Sequence, residues 1–280
     1  MLGVNQYGKA ETHLVRVVRD GDVHELRDLL VSVALSGNLD DVHLRGDNSA
    51  VLATDTQKNT VYAFAKEHGV GTPEEFALLL ARHFLDGAIT RARVQVVEVG
   101  WARLGDHAFV QSSREQRVAT VIASGADAWF VSGVSELVLL KTTDSEFHGF
   151  PRDRYTTLTE TTDRVLATAV SARWRHDGSA SFEDARGALL DTFAAHHSLS
   201  LQQTLYAMGS ALLSACGSVH EVRLSMPNKH HFVVDLSPFG LENPNEVFHA
   251  DDRPYGLIEG AVVRDGAPDP GPVWDPYPLV

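Results

Sequence analysis

The feature that most constrains this chain is a repeat in the order of its helix starts. A Ser or Thr followed three residues later by an acid or an amide is typical of a helix N-terminus, because the two side chains cap each other's backbone N–H groups. Four such boxes occur, beginning at Thr54, Thr72, Ser181 and Ser200. The start at 181 follows that at 54 by 127 residues, and the start at 200 follows that at 72 by 128. The chain is therefore predicted to contain two similar halves, each with a pair of helices.

Strands are predicted around each helix pair. Alternating residues at 14–18 and 26–35, joined at Asp20-Gly21-Asp22, are typical of a β-hairpin, and similar runs lie at 93–99 and 219–236. We predict an α+β fold of two tandem ββααββ-like modules, each an antiparallel sheet with a helix pair on one face. Such sheets have open edges, so closure by oligomerisation is expected.

The module boundaries follow from this pattern. We assign residues 1–137 to the first module and 138–262 to the second. Residues 263–280 contain five prolines, at 268, 270, 272, 276 and 278. They are predicted to form an irregular C-terminal arm, which could lie on a neighbouring subunit.

Charge, hydropathy and cysteine content limit the partners and the location expected for this chain. The formal net charge is −13 and the sequence pI is about 5.5, which argues against nucleic acid or an anionic membrane as the main partner. No segment resembles a signal peptide or approaches the roughly 20 apolar residues of a membrane span. The single cysteine, Cys216, lies in an apolar run and is predicted to be a buried core thiol. We expect a cytoplasmic protein.

Several polar residues are candidates for chemistry, although each has a simple structural explanation. Thr54 and Gln202 lie at predicted helix starts, where free N–H groups attract anions, yet the same residues serve as ordinary caps. Arg164 is explained by a surface salt bridge, Phe147 by core packing and Lys9 by solvation. Sequence position alone favours the structural explanation for each.

The segment Pro227-Asn228-Lys229-His230-His231 interrupts a stretch that otherwise resembles buried strand. Side chains alternate along a strand, so Asn228 and His230 are predicted to share one face while Lys229 and His231 take the other. The histidines have no known metal-ligand spacing, which disfavours a metal site. No glycine-rich phosphate loop or nucleophile elbow occurs, so chemistry without a cofactor is expected.

Five blocks of this sequence, in order along nearly the whole chain, resemble the urate oxidases. They are Tyr7-Gly8-Lys9, "DNSAVLATDTQKNTVY" at 47–62, "FHGFPRDRYTTLTETTDR" at 147–164, "SLQQTLY" at 200–206 and "SMPNKHHFVVDLSPFGLENPNEVF" at 225–248. The resemblance implies the tunnelling fold (T-fold) and a homotetramer whose barrel closes on assembly. It also implies active sites at subunit interfaces, where Lys9 and Thr54 of one chain face Phe147, Arg164 and Gln202 of another.

The resemblance also implies roles for individual residues. The catalytic proton relay would be Lys9, Thr54 and His230. The urate contacts would be Thr54, Asp55, Phe147, Arg164, Leu201, Gln202 and Asn228. Two residues depart mildly from the family: Leu201 stands where many members have valine, and His148 where fungal members have tryptophan.

The activity that the resemblance implies is oxidation of urate by O₂ and water to 5-hydroxyisourate and H₂O₂, without a cofactor. Lys9 would lose a proton readily in buried, cation-rich surroundings and draw one from urate through Thr54. Two alternatives stay open. One is another T-fold enzyme acting on a pterin or purine, which would typically carry a Glu where Gln202 stands. The other is a non-catalytic purine-binding scaffold.

Overall fold

The computed structural model describes residues 1–276. The last four residues of the predicted C-terminal arm, 277–280, lie outside the described residues. The chain divides into two compact units: residues 1–133 with 174–179 and the segment from 268 onward, and residues 134–173 with 180–267. Within residues 1–276, no helix is both long and apolar enough to cross a membrane.

The first unit contains an antiparallel sheet and a helix pair, as predicted. Its strands β1 to β4 pair in sequence order, α2 packs on β1, and α3 packs on β3 and β4. The elements are β1 (Tyr7–Val18), β2 (Glu25–Gly37), α1 (Asp40–Arg45), α2 (Thr54–Glu67), α3 (Pro73–His83), β3 (Ile89–Arg103) and β4 (Phe109–Ser124). Two further strands, β5 (Asp127–Lys141) and β6 (Leu166–His176), have residues in both units.

The second unit repeats the arrangement. The helices α4 and α5 pack together, and α5 lies on β7 and β10, which pair with each other. A short strand, β8, pairs with β6 and then with β9. The elements are α4 (Phe182–Ala195), α5 (Leu201–Ala215), β7 (Val219–Ser225), β8 (Asn228–Val233), β9 (Phe248–Asp251) and β10 (Glu259–Val263). The prediction of an α+β fold with antiparallel sheets is confirmed.

Three of the four predicted helix caps are confirmed. Thr72 forms a complete capping box with Glu75, and the side chains of Ser181 and Ser200 each accept a hydrogen bond from the backbone N–H three residues on. The prediction that Thr54 is an N-cap is wrong, because Ala53 is the N-cap and Thr54 is the first helical residue.

The reason for this difference is the burial of Gln57. Its side chain is 0% exposed, and its amide donates to the carbonyl of Leu52 at 3.2 Å. Because the Gln57 side chain bonds to Leu52, it does not accept a hydrogen bond from the backbone N–H of Thr54, and the capping-box pattern gives a wrong prediction here.

The cores of the two units follow the alternation of the strands. In the first, Leu29, Val31, Val33 and Leu35 of β2 are at most 2% exposed and belong to a cluster that includes Phe76 and Leu80 of α3. In the second, α5 approaches β10 so closely that a Cβ on Gly209 would meet the side chain of Val262 at 2.6 Å. Cys216 is buried, as predicted, and burial raises the pKa of its thiol.

One expectation is corrected. The residues after His231 do not form a buried strand: Phe232 and Val233 are 49% and 47% exposed, because β8 has only two register pairs with β6 before it turns into a hairpin with β9. Part of the C-terminal arm contacts its own chain, and its path over a neighbouring subunit stays a prediction. Val273 is 2% exposed, and Arg91 Nη1 donates to Asp275 Oδ2 at 2.9 Å.

Gly8 is required by close backbone approach between β1 and β2. A Cβ at this position would lie 1.8 Å from the carbonyl oxygen of Val33. We expect Gly8→Ala to lower the free energy of unfolding by about 1–3 kcal/mol, because the two strands must move apart. The thermal midpoint measures this loss.

Gly187 provides the matched control. It lies inside α4, and an added Cβ would meet nothing within 4 Å. Gly187→Ala should raise the free energy of unfolding by about 0.8–1.0 kcal/mol, because alanine has the higher helix propensity. Equal effects of the two substitutions would contradict the steric explanation for Gly8.

Candidate active site

The predicted site residues Lys9, Thr54 and Asp55 all belong to the first unit. Lys9 pairs with Val33, whose buried side chain faces the helices, so Lys9 lies on the helix-covered face of the sheet. Thr54 and Asp55 open α2. The pKa of Asp55 is lowered, first by its hydrogen bond from Lys58 and also by the positive charge of Lys9. Lys9 is partly exposed in the single chain, so the predicted cation-rich burial is not present there.

A β-bulge follows Lys9 directly. The register shifts between Lys9 and Thr12, and Glu11 adopts a left-handed φ of 52°. The backbone N–H of Glu11 donates to Ser32 Oγ at 2.9 Å, which gives the irregular backbone a partner. Bulges re-aim neighbouring side chains, so this one fixes the direction of Lys9 at the end of the regular pairing.

Tyr7 links β1 to the start of α2, a role that its sequence position does not predict. Its phenolic oxygen accepts a hydrogen bond from the backbone N–H of Leu52 at 3.0 Å, two residues before Thr54. Burial raises the pKa of this phenol. The only signal for it was its place beside Gly8 and Lys9 in the first matching block.

A cavity of about 380 Å³ lies in the second unit. Four predicted substrate or relay residues line it: Phe147, Arg164, Asn228 and His230. Leu201 and Gln202 are not in its lining; Leu201 is 2% exposed in the core, and Gln202 is exposed at the start of α5. The remaining lining residues are Thr142, Leu158, Thr159, Thr161, Asp163, Val165, His231, Phe232, Val233, Asn245 and Phe248.

Arg164 is a half-buried cation without an anionic partner. Among residues 1–276, no carboxylate forms an ion pair with it, and burial lowers the pKa of its guanidinium. Its Nε donates to Ser145 Oγ at 3.4 Å, and its Cζ lies 5.3 Å from the ring centre of Phe147. The surface salt bridge that the sequence favoured is therefore wrong. Arginine stays charged at neutral pH, so this face of the cavity attracts an anion.

Phe147 is held in place from two sides. Its backbone N–H donates to Thr161 at 2.8 Å and its carbonyl accepts from Thr161 at 3.0 Å. Its ring stacks on that of Phe150, with centroids 5.0 Å apart and planes 15° apart. A fixed aromatic ring beside a guanidinium is suited to a planar, electron-rich anion.

Asn228 and His230 begin β8. The backbone N–H of Asn228 donates to Gly256 at 2.9 Å, and the His230 ring stacks on Phe232 with centroids 5.6 Å apart. His231 also lines the cavity, although alternation along the strand predicted that it would point away. Its ring meets Phe248, another lining residue, edge-on at 6.5 Å.

Glu146, the residue before Phe147, has its carboxylate between the rings of two histidines, His148 and His197. His197 Nε2 lies 2.6 Å from Glu146 Oε1, and His148 Nε2 lies 2.8 Å from Glu146 Oε2. The His197 contact is the largest cause of the lowered pKa of Glu146, and the Glu146 contact is the largest cause of the raised pKa of His197. Among residues 1–276, no group of three or more His, Cys, Asp or Glu side chains is placed to hold a metal ion.

This contact predicts a pH window for stability. The lowered pKa of Glu146 stabilises the fold above the unfolded value of about 4.3, and this gain is lost as the pH falls through the folded pKa. The raised pKa of His197 stabilises it below about 6.5, and this gain is lost as the pH rises through the folded pKa. We expect the thermal midpoint of Glu146→Gln to fall furthest below wild type between those values. A pH-independent difference would contradict this assignment.

Comparison with known proteins gives a consistent result. The Uricase family model matches residues 5–122 and 130–259. The uricase of Arthrobacter globiformis is 52% identical over 283 aligned residues, covering 98% of this chain and 93% of the relative, and that of Dictyostelium discoideum is 40% identical, covering 93% and 96%. The crystal structure of the Arthrobacter uricase superposes with a TM-score of 0.94 at 51% identity, covering 99% of each chain.

These matches confirm the predicted tunnelling fold and extend over both units of the chain. The chain belongs to the uricase family.

Proposed function

We propose that this chain catalyses the oxidation of urate by O₂ and water to 5-hydroxyisourate and H₂O₂, without a cofactor. Urate is a planar purine that is already an anion at neutral pH. The observation that carries the proposal is Arg164, a half-buried guanidinium that faces an aromatic cavity and has no carboxylate partner within residues 1–276. The cavity, about 380 Å³, falls in the range of small-ligand sites.

Recognition of urate would use charge, stacking and shape. The planar fork of Arg164 suits bidentate hydrogen bonding to one edge of the purine, with Gln202 completing that edge. Phe147 stacks on the ring. Thr54, Asp55 and the N–H of Leu201 take the remaining polar contacts, and Asn228 holds O₂ and then water above the ring.

Proton transfer would be the work of Lys9, Thr54 and His230. Removing a second proton makes urate reducing enough to pass electrons directly to O₂, so the substrate supplies what a flavin or metal supplies in other oxidases. Lys9 draws this proton through the Thr54 hydroxyl, and His230 moves protons on the other side of the ring. Addition of O₂ and exchange with water give the hydroxylated product and H₂O₂.

The complete site would be assembled between subunits. Lys9, Thr54 and Asp55 lie in the first unit, whereas Phe147, Arg164, Leu201, Gln202, Asn228 and His230 lie in the second. We propose a homotetramer in which modules 1–137 and 138–262 close a barrel and the two groups meet across an interface. Exposed apolar side chains such as Tyr62, Val138, Leu140 and Tyr206 support assembly. The single buried thiol is consistent with a cytoplasmic location.

Neither alternative is favoured by the structure or the comparisons. An enzyme acting on pterins would typically carry a Glu anchor, and Gln202 stands in that position. A binding scaffold would not require a lysine on the same side of the sheet as the start of α2, which is where Lys9 lies.

The direct test is the loss of urate's ultraviolet absorbance in air, after exhaustive chelation and with no nicotinamide or flavin added. We expect turnover with one O₂ consumed and one H₂O₂ formed per urate. Activity that is lost in EDTA and restored by one metal would overturn the cofactor-free mechanism.

A further inference from the structure

We infer that three buried hydroxyl residues, Ser145, Ser198 and Thr204, with the backbone bridge between Ser145 and Ser198, position Arg164 and the start of α5 for purine recognition. The inference rests on the proposed function, because it concerns how the two residues that grip one edge of urate, Arg164 and Gln202, are held in register. These three hydroxyl residues touch no substrate in the proposed mechanism and are positioning residues.

Burial is the first argument. Ser145, Ser198 and Thr204 are each 0% exposed. A buried hydroxyl destabilises the fold unless it is hydrogen-bonded, so each of the three needs a partner. All three find partners, and the partners belong to the segments that carry the site.

The first link runs from Ser145 to Arg164. Ser145 Oγ accepts from Arg164 Nε at 3.4 Å, and the Ser145 carbonyl accepts from the Arg164 backbone N–H at 2.9 Å. The same serine therefore holds both the backbone and the side chain of the arginine. The Nε contact leaves the terminal nitrogens of the guanidinium for a ligand.

The second link joins the Ser145 segment to the residues before α5. Ser145 and Ser198 form a parallel bridge, in which the N–H of Glu146 donates to Ser198 at 2.7 Å and the N–H of Ser198 donates to Asp144 at 2.9 Å. Residues far apart in sequence are thus fixed side by side.

The third link reaches the helix itself. Ser198 Oγ donates to the carbonyl of Ser200, the N-cap of α5, at 3.1 Å. Thr204 Oγ1 lies 2.8 Å from Ser198 Oγ and 3.2 Å from the same carbonyl. The first turn of α5, which carries Leu201 and Gln202, is thereby tied to the segment that holds Arg164.

These links matter because Arg164 and Gln202 can both bind one edge of the planar purine only if their separation is fixed. Displacements of well under 1 Å weaken such recognition. We expect Ser145→Ala to raise the KM for urate roughly 5- to 20-fold, with kcat nearly unchanged, since it loosens Arg164 without removing it. Thr204→Val, which keeps the side-chain shape, should act in the same direction through α5.

The control is Ser214→Ala. Ser214 also lies on α5, but it is exposed, and its hydroxyl donates to the carbonyl of Ser210 in the same helix. Ser214→Ala should leave the KM for urate unchanged.

Double-mutant cycles separate positioning from simple stability. Ser145→Ala should add nothing to KM once Arg164 is alanine. Thr204→Val should raise KM by a smaller factor once Gln202 is alanine, because only the contact of the Leu201 N–H is then left for it to disturb. The Kd of the unreactive purine 8-azaxanthine, measured by calorimetry, should follow the same pattern. KM and Kd values like those of wild type in both Ser145→Ala and Thr204→Val, or effects that multiply in the cycles, would overturn the inference. A wild-type protein that binds the analogue but does not oxidise urate would instead refute the proposed function alone.

Discussion

Lys9→Met should lower kcat for urate oxidation roughly 10²- to 10⁴-fold, the usual range for loss of a general base. It should leave the Kd of 8-azaxanthine nearly unchanged, because Lys9 is assigned to proton transfer and not to grip. The structural basis is its place on the helix-covered face of β1, before a bulge and within electrostatic reach of Asp55. Single-turnover kinetics and calorimetry measure the two quantities separately. Lys66→Met, at an exposed lysine of α2, is the matched control.

A double mutant tests whether Lys9 and Thr54 form one relay. Thr54→Ala should also lower kcat, with little effect on stability, because Ala53 and not Thr54 is the N-cap of α2. If the two act as a unit, the double mutant should be little slower than the slower single mutant. Multiplicative losses would refute the relay and leave the urate oxidase activity itself intact.

Arg164→Ala should weaken urate binding by about 1.5–3 kcal/mol, roughly 10- to 150-fold in KM, because it removes a charge-assisted contact. Since the guanidinium has no carboxylate partner among residues 1–276, its removal leaves no buried anion behind. The loss of stability should be limited to that of a buried Ser145 hydroxyl without its hydrogen bond from Arg164. Arg164→Lys should restore only part of the affinity, because lysine lacks the planar fork.

Arg152→Ala is the matched control for this effect. Arg152 is exposed, and its Cζ lies 5.8 Å from the ring centre of Phe150, the aromatic partner of Phe147, yet it does not line the cavity. The KM of Arg152→Ala for urate should equal that of wild type. An Arg164→Ala enzyme with a KM within twofold of wild type would remove the central element of the recognition model.

Much of the fold could be predicted because its signals are local. Thr72, Ser181 and Ser200 each cap a helix with neighbours only three residues away, and their spacing gave the two halves. Thr54 shows the limit of such signals. Its glutamine partner is buried and bonds to Leu52, a tertiary effect that overrides the local pattern.

The parts that could not be predicted depend on non-local pairing. The bridge between Ser145 and Ser198 joins segments about fifty residues apart. Neither segment contains a sequence pattern that predicts its pairing with the other. The contact of Asp275 with Arg91 likewise brings the C-terminal arm onto its own chain. The grouping of site residues was available from the resemblance, whereas the hydrogen-bond partners that hold Arg164 required the structure.

Complementation between subunits tests the shared site most directly. Lys9→Met and Arg164→Ala chains, each poorly active alone at low urate, are expressed together at equal levels and assayed by the decay of urate absorbance. If Lys9 and Arg164 of one site come from different subunits, about a quarter of wild-type activity should return, because each intact contribution is present in half of random pairings. Activity no higher than the mean of the two parent variants would contradict a site shared between subunits.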